Sequence, residues 1–147
     1  MSTVGAMPGH PTLDVDMVNA AVGESFPGAG SRCIDIGPDY AVAASDVAAT
    51  SIRPGGYVSG PTQFALVDLA LWYLSFAALG RIEPMAVTTE LSIRYLRPAI
   101  GDRIVCRADL DVINRRSIVG TARVWIDGKP DKPTATAQGT YAIPLPR

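Results

Sequence analysis

From Phe64 to Leu79 nearly every residue is apolar. Ser59-Gly60-Pro61 opens this stretch and Gly80 closes it. Proline at or near the first helical position and glycine just past the end are helix start and stop signals. A helix that is apolar nearly all round must be wrapped by the rest of the chain. The run is shorter than the about 20 residues of an ordinary bilayer span, and Asp68 lies inside it, so it reads as a core helix. After Pro84 the period changes to two. Val87, Leu91, Ile93 and Tyr95 alternate with Thr88, Glu90, Ser92 and Arg94. Pro98 to Gly101 turns the chain. Ile104, Cys106, Ala108, Leu110 and Val112 form the next apolar face, and Asn114-Arg115-Arg116 makes a tight reversal. Ile118, Ala122, Val124 and Ile126 form a third face, Asp127-Gly128 gives a hairpin signal, and Ala135, Ala137, Tyr141 and Ile143 make the last strand. This half of the chain predicts a four-strand antiparallel meander.

Upstream, residues 1–11 read as a flexible N-terminal tail, carrying Gly5, Pro8, Gly9, His10 and Pro11. Residues 12–147 read as a single domain. Thr12 to Val22 suits a short helix with Thr12 as N-cap and Leu13, Met17 and Ala20 or Ala21 on its apolar face. Phe26 to Gly30 breaks it. Arg32–Ile36 and Tyr40–Val47 suit two strands, and Arg53 to Gly56 a loop. Alternating strands leave one sheet face dry, and the apolar helix needs a wrapper. Curling the antiparallel sheet around the one long central helix meets both needs. The fold class is therefore α+β, in an arrangement that resembles the hot-dog fold.

Composition narrows the function. The 147 residues are 48% hydrophobic and 18% charged, enough apolar material for a packed core. Thirteen basic and 14 acidic residues leave a net charge of -1, so no basic excess exists to neutralise a nucleic-acid backbone. Two cysteines and one histidine build neither a zinc site nor a serine–histidine–aspartate triad. The N-terminus has no secretory pattern and no segment is expected to enter a membrane, so the expected location is the cytoplasm.

Between Arg53 and Arg81 the only charged residue is Asp68. Its helical neighbours are Phe64, Ala65, Leu71 and Trp72. An ionised carboxylate among such groups is costly unless partnered. Desolvation would raise its pKa, which suits a general base. Two other readings stay open. Asp68 could satisfy backbone or hydroxyl groups where helix meets sheet, or bridge two chains at a subunit interface. The helix start offers free N–H groups at the positive end of the helix dipole, able to polarise a carbonyl. Gly60 has no side chain to block a substrate. Ordinary capping by Ser59 is compatible with that role.

The run Gly56 to Ala70, with Ser59-Gly60-Pro61, six residues, then Asp68, resembles the H-G-G-x6-D motif of PaaI-like acyl-CoA thioesterases of the hot-dog superfamily. Leu91–Pro98, Gly101-Asp102 and Ala137–Tyr141 also fit that family, over roughly residues 53–143. The resemblance implies hydrolysis of an acyl-CoA thioester to free acid and CoA. It implies Asp68 as general base or nucleophile, and the Gly60 N–H as the group that polarises the thioester carbonyl. Asp68 would reach the substrate across a dimer interface. Ser59 replaces the family's histidine and Pro61 its second glycine, and Pro61 has no N–H to donate. Arg53 stands where a water-positioning Asn or Gln often lies. For the phosphates of CoA, Arg94, Arg97, Arg115, Arg116 and Arg123 are candidates, with Ser117 beside the hairpin where the family often contacts the nucleotide. Tyr57, Phe64, Trp72 and Tyr73 are candidates for an acyl pocket. No metal or cofactor is implied beyond the CoA of the substrate. The expected assembly is a homodimer or a homotetramer built as a dimer of dimers, because one sheet on one helix leaves a long free edge. The alternative function is a non-catalytic acyl-CoA or small-ligand binding protein. A hot-dog dehydratase would need a well-placed histidine, and His10 is not one.

Overall fold

A computed structural model describes residues 13–27, 30–48 and 51–145. The tail expected over residues 1–11, with His10, lies outside them. Helix α1 spans Val15–Ser25, strands β1 Ser31–Ile36 and β2 Tyr40–Asp46, and a small hairpin β3 Ile52–Arg53 and β4 Tyr57–Val58. Helix α2 spans Gly60–Leu79, followed by β5 Val87–Tyr95, β6 Arg103–Ile113, β7 Ser117–Ile126 and β8 Ala135–Ala142. Six strands form one antiparallel sheet in the order β1-β2-β6-β7-β8-β5, and β3 pairs with β4. The sheet wraps α2, which makes the fold α+β of the hot-dog type.

Helix α2 begins and ends where its sequence signals stand. The Ser59 side chain accepts from the Thr62 N–H, Pro61 occupies the first turn, and Gly80 closes the helix in the left-handed conformation at φ 71°. By length and hydropathy α2 could cross a membrane, but it is the core element: Leu71, Tyr73, Leu74, Ser75 and Phe76 are fully buried against the sheet. Each large apolar side chain so buried contributes about 1.5–3 kcal/mol. The close approach depends on a glycine pair. Gly120 of β7 and Gly139 of β8 lie opposite each other, and a Cβ on either would fall within 3 Å of the Leu71 or Leu74 methyls.

Two expectations change. The meander has three strands, β6-β7-β8, and not four. Strand β5 pairs with β8 at the sheet edge, while residues 96–102 carry the chain across to put β6 beside β2. That crossing is anchored by Leu96 N–H to Thr134 O, Val58 N–H to Ala99 O and Val47 N–H to Asp102 O. Adjacency in sequence favours pairing of neighbouring strands but does not require it. Secondly, the N-cap of α1 is Asp14, which accepts from the Met17 N–H at 2.9 Å; Thr12 lies outside the described residues. Its buried face is Val18 and Val22, not Met17 and Ala20. Asn19 beside them clips the helix to β1, donating to Cys33 O at 2.8 Å and accepting from Cys33 N–H at 2.9 Å. The hairpin signal at Asp127-Gly128 stands where expected: the chain turns there, and β7 and β8 pair antiparallel, joined by residues 127–134.

Candidate active site

Asp68 lies two turns into α2, on the stripe Pro61, Phe64, Ala65, Asp68 and Leu69 that the sheet leaves uncovered. It is half-buried rather than sealed. Its carboxylate has hydroxyl partners. Thr88 Oγ1 donates to Asp68 Oδ1 at 2.5 Å, and the Tyr141 hydroxyl donates to the same oxygen at 2.6 Å and lies 2.9 Å from the Asp68 carbonyl oxygen. Oδ2 has no hydrogen-bond partner among the described residues. Burial, and then the neighbouring carboxylate, hold the Tyr141 phenol well above its ordinary pKa, so it remains a donor.

Neither hydroxyl carries a local sequence signal that marks it as a site group. Strict alternation assigned Thr88 to the polar face of β5. The register shift between Thr88 and Glu90 is a bulge that sets Thr88 opposite Tyr141, turned towards α2. Tyr141 stands at an inward position of β8, and a buried phenol needs an acceptor. The lone carboxylate of α2 was the available one.

Beside Asp68 lies an open pocket of about 530 Å³, walled by Phe26, Leu69, Trp72, Pro84, Ala86 and Val87. Phe26 and Trp72 meet edge to face, ring centres 5.8 Å apart. Trp72 lines this pocket. Tyr73 is core, fully buried. Phe64 lines neither this pocket nor the next one and stands 39% exposed on the uncovered stripe.

The second pocket, of about 670 Å³, surrounds the start of α2 and gathers Arg53, Tyr57, Gly60, Pro61, Tyr95 and Arg97. As the first helical residue, Gly60 has an N–H with no intrahelical acceptor. Tyr95 donates its hydroxyl to Gly60 O at 2.7 Å, and a Cβ on Gly60 would stand 3.1 Å from that hydroxyl. Ser59 serves the cap: its hydroxyl lies 2.7 Å from Thr62 Oγ1 and 3.3 Å from the Thr62 N–H.

The two expected catalytic groups do not meet within one chain. Asp68 stands eight positions along the helix from Gly60, roughly 12 Å along the axis, and each lines its own pocket. The arginines divide as well. Arg53 and Arg97 are at the Gly60 pocket. Arg115, Arg116 and Ser117 form the β6–β7 reversal, at the Asp68 end of the sheet, since Ser117 pairs with Ala142 and Ala142 with Val87. Arg94 and Arg123 both flank Thr136 on the outer sheet face, away from α2, and line neither pocket. Arg53, Arg94, Arg97, Arg115 and Arg116 make no ion pair among the described residues.

Burial pushes the Cys33 thiol up to about 11 and the Cys106 thiol higher still, so neither is a ready thiolate nucleophile. Among the described residues no three His, Cys, Asp or Glu side chains gather as a metal site.

The sequence profile of the Thioesterase superfamily matches residues 55–131, which include Gly60 and Asp68. Among solved structures, the chain is similar to a candidate thioesterase from Silicibacter sp. TM1040, with 32% identity over 94% of this chain and 97% of that one and a TM-score of 0.80. A conserved protein from Pseudomonas aeruginosa is 28% identical over 86% of this chain and 96% of that one, TM-score 0.70. A point mutant of the phenylacetic acid degradation protein PaaI from Thermus thermophilus is 26% identical over 83% of this chain and 97% of that one, TM-score 0.65. Comparison with curated proteins gives no match.

Proposed function

Because the chain belongs to the thioesterase superfamily, we propose that it hydrolyses an acyl-CoA to the free acid and CoA in the cytoplasm, as a dimer whose sites draw on both subunits. The observation that carries this reading is the Asp68 carboxylate, held through Oδ1 at the mouth of an apolar pocket with Oδ2 unpaired among the described residues.

Among the described residues, the outer edge of β5 has no partner strand. Beside it stand exposed apolar groups: Phe64 at 39%, Met85 at 67%, Val87 at 55%, Tyr95 at 48% and Leu96 at 44%. An unpaired edge flanked by an apolar stripe favours pairing with a second copy. Two β5 strands pairing antiparallel about a two-fold axis near Leu91 bring the Thr88 end of one against the Tyr95 end of the other. Thr88 marks Asp68 and Tyr95 marks Gly60. The same operation thus carries Asp68 towards the partner's Gly60, and Arg115 and Arg116 towards the partner's Arg53 and Arg97.

In that composite site the acyl group occupies the Phe26–Trp72 pocket and the thioester carbonyl faces the Gly60 N–H. Asp68 Oδ2 takes a proton from water as the oxygen attacks the carbonyl carbon, or attacks that carbon itself. Negative charge on the carbonyl oxygen is met by the N–H and the helix dipole. On the first route the C–S bond breaks and the leaving CoA thiolate takes the proton back from Asp68. On the second its cleavage leaves a mixed anhydride on Asp68, which water hydrolyses to the free acid and the carboxylate, the remaining proton of that water going to the thiolate. The arginines hold the phosphates. No cofactor takes part.

Purified protein is expected to release thiol from acyl-CoAs with apolar acyl groups in a screen across short, long and aromatic chains. Binding of CoA esters without any thiol release would instead support the non-catalytic binding protein. Arg97→Ala is expected to raise KM about three- to tenfold with kcat nearly unchanged, an effect that shrinks as salt rises, because an exposed cation on a remote phosphate contributes binding alone. Steady-state kinetics at two ionic strengths measure it; a KM unaffected at low salt removes Arg97 from the phosphate path.

A further inference from the structure

We infer that Tyr141 is a positioning residue of this site: with Thr88 it occupies Asp68 Oδ1 from one side and so fixes Oδ2 as the oxygen that meets the reacting atoms. The inference rests on the reading of Asp68 as the catalytic carboxylate and adds to it a residue and a division of labour between the two carboxylate oxygens.

A carboxylate on a helix can turn about its last torsion and exchange its two oxygens. Each oxygen has two lone pairs. Here both lone pairs of Oδ1 are taken, by Thr88 at 2.5 Å and Tyr141 at 2.6 Å. Such short O–H···O distances are those of charge-assisted hydrogen bonds, which resist that rotation. The two donors come from neighbouring strands and stand opposite each other in register, so their spacing is set by the sheet. Tyr141 is the rigid member. It is only 4% exposed, and its ring is packed into the core beneath α2. Thr88 sits on the exposed edge strand. The Tyr141 hydroxyl also reaches the Asp68 backbone carbonyl at 2.9 Å, so it gauges the helix as well as the side chain. With the clamp removed, the base loses its fixed direction, and misplacement by about 1 Å costs a reacting geometry up to about a hundredfold.

A purely structural tyrosine would give the same contacts, so the test must separate the two. Tyr141→Phe keeps the ring and its packing and removes only the hydroxyl. It is expected to lower kcat about tenfold or more with KM changed less than twofold, at a temperature well below the melting point of each variant. In an Asp68→Asn background the same substitution is expected to leave the residual rate unchanged, because there is no base left to aim. A Thr88→Val variant is expected to behave in the same non-additive way. Equal losses in both backgrounds would mark Tyr141 as structural and overturn the inference. So would undiminished turnover by Tyr141→Phe when Asp68→Asn is inactive, and that result would leave the catalytic reading of Asp68 intact. Undiminished turnover by Asp68→Asn itself would overturn both.

Discussion

Asp68→Asn is expected to lower kcat for a good acyl-CoA substrate by about 10²–10⁴-fold, the range over which a positioned base contributes. The amide has the carboxylate's shape and keeps an oxygen for Thr88 and Tyr141, so the clamp on Oδ1 survives. What is lost is the charge and the basic lone pair on the other atom. The fold should survive too. Asp68 is half-buried and its partners are neutral hydroxyls, so no counter-charge is left stranded. KM should change little, since the acyl pocket and the arginines are untouched. Thiol release measures the rate, and circular dichroism checks the fold. Turnover within a few-fold of the wild type would remove Asp68 from the chemistry, whatever the family resemblance.

The position of that carboxylate was legible in the sequence because a single charge in a helix apolar nearly all round has few bland explanations. The ends of α2 were legible for a similar reason: proline and glycine constrain the backbone locally. The partners of Asp68 were not legible. Thr88 is turned inward by a bulge, and a one-residue irregularity reverses the face assigned by alternation. Tyr141 belongs to a strand more than 70 residues away, and only the closed sheet makes it a neighbour of α2. The position of β5 was lost in the same way. Its period is clear, but whether it pairs with the next strand or swings to the far edge depends on the course of residues 96–102, which carry turn signals and no record of a destination. The face of α1 is ambiguous in sequence because Val18 and Val22 compete with Met17 for burial, and Asn19, whose side chain fastens the helix to Cys33, looks in sequence like an ordinary surface residue. Long-range pairing thus decided what local pattern left open.

Mixing two inactive variants is expected to restore activity if the site spans two subunits. Gly60→Val puts a branched side chain where a bare Cβ already stands 3.1 Å from the Tyr95 hydroxyl, and it crowds the N–H that faces the carbonyl. Its homodimer should be as inactive as that of Asp68→Asn. In a heterodimer the Asp68 of the Gly60→Val subunit faces the intact Gly60 of the Asp68→Asn subunit. That site is whole, and the other carries both defects. Random pairing makes half the dimers mixed, each with one whole site of two, so about a quarter of the wild-type rate should return. Differently tagged subunits, co-expressed and purified through both tags, should raise this to about a half. The distance along α2 makes the alternative costly: within one chain, roughly 12 Å of helix rise separates the two groups, too far for one carbonyl to touch both. Mixed dimers as inactive as their parents would require Asp68 and Gly60 to serve within the same chain, and the pairing along β5 would then have no part in building the site.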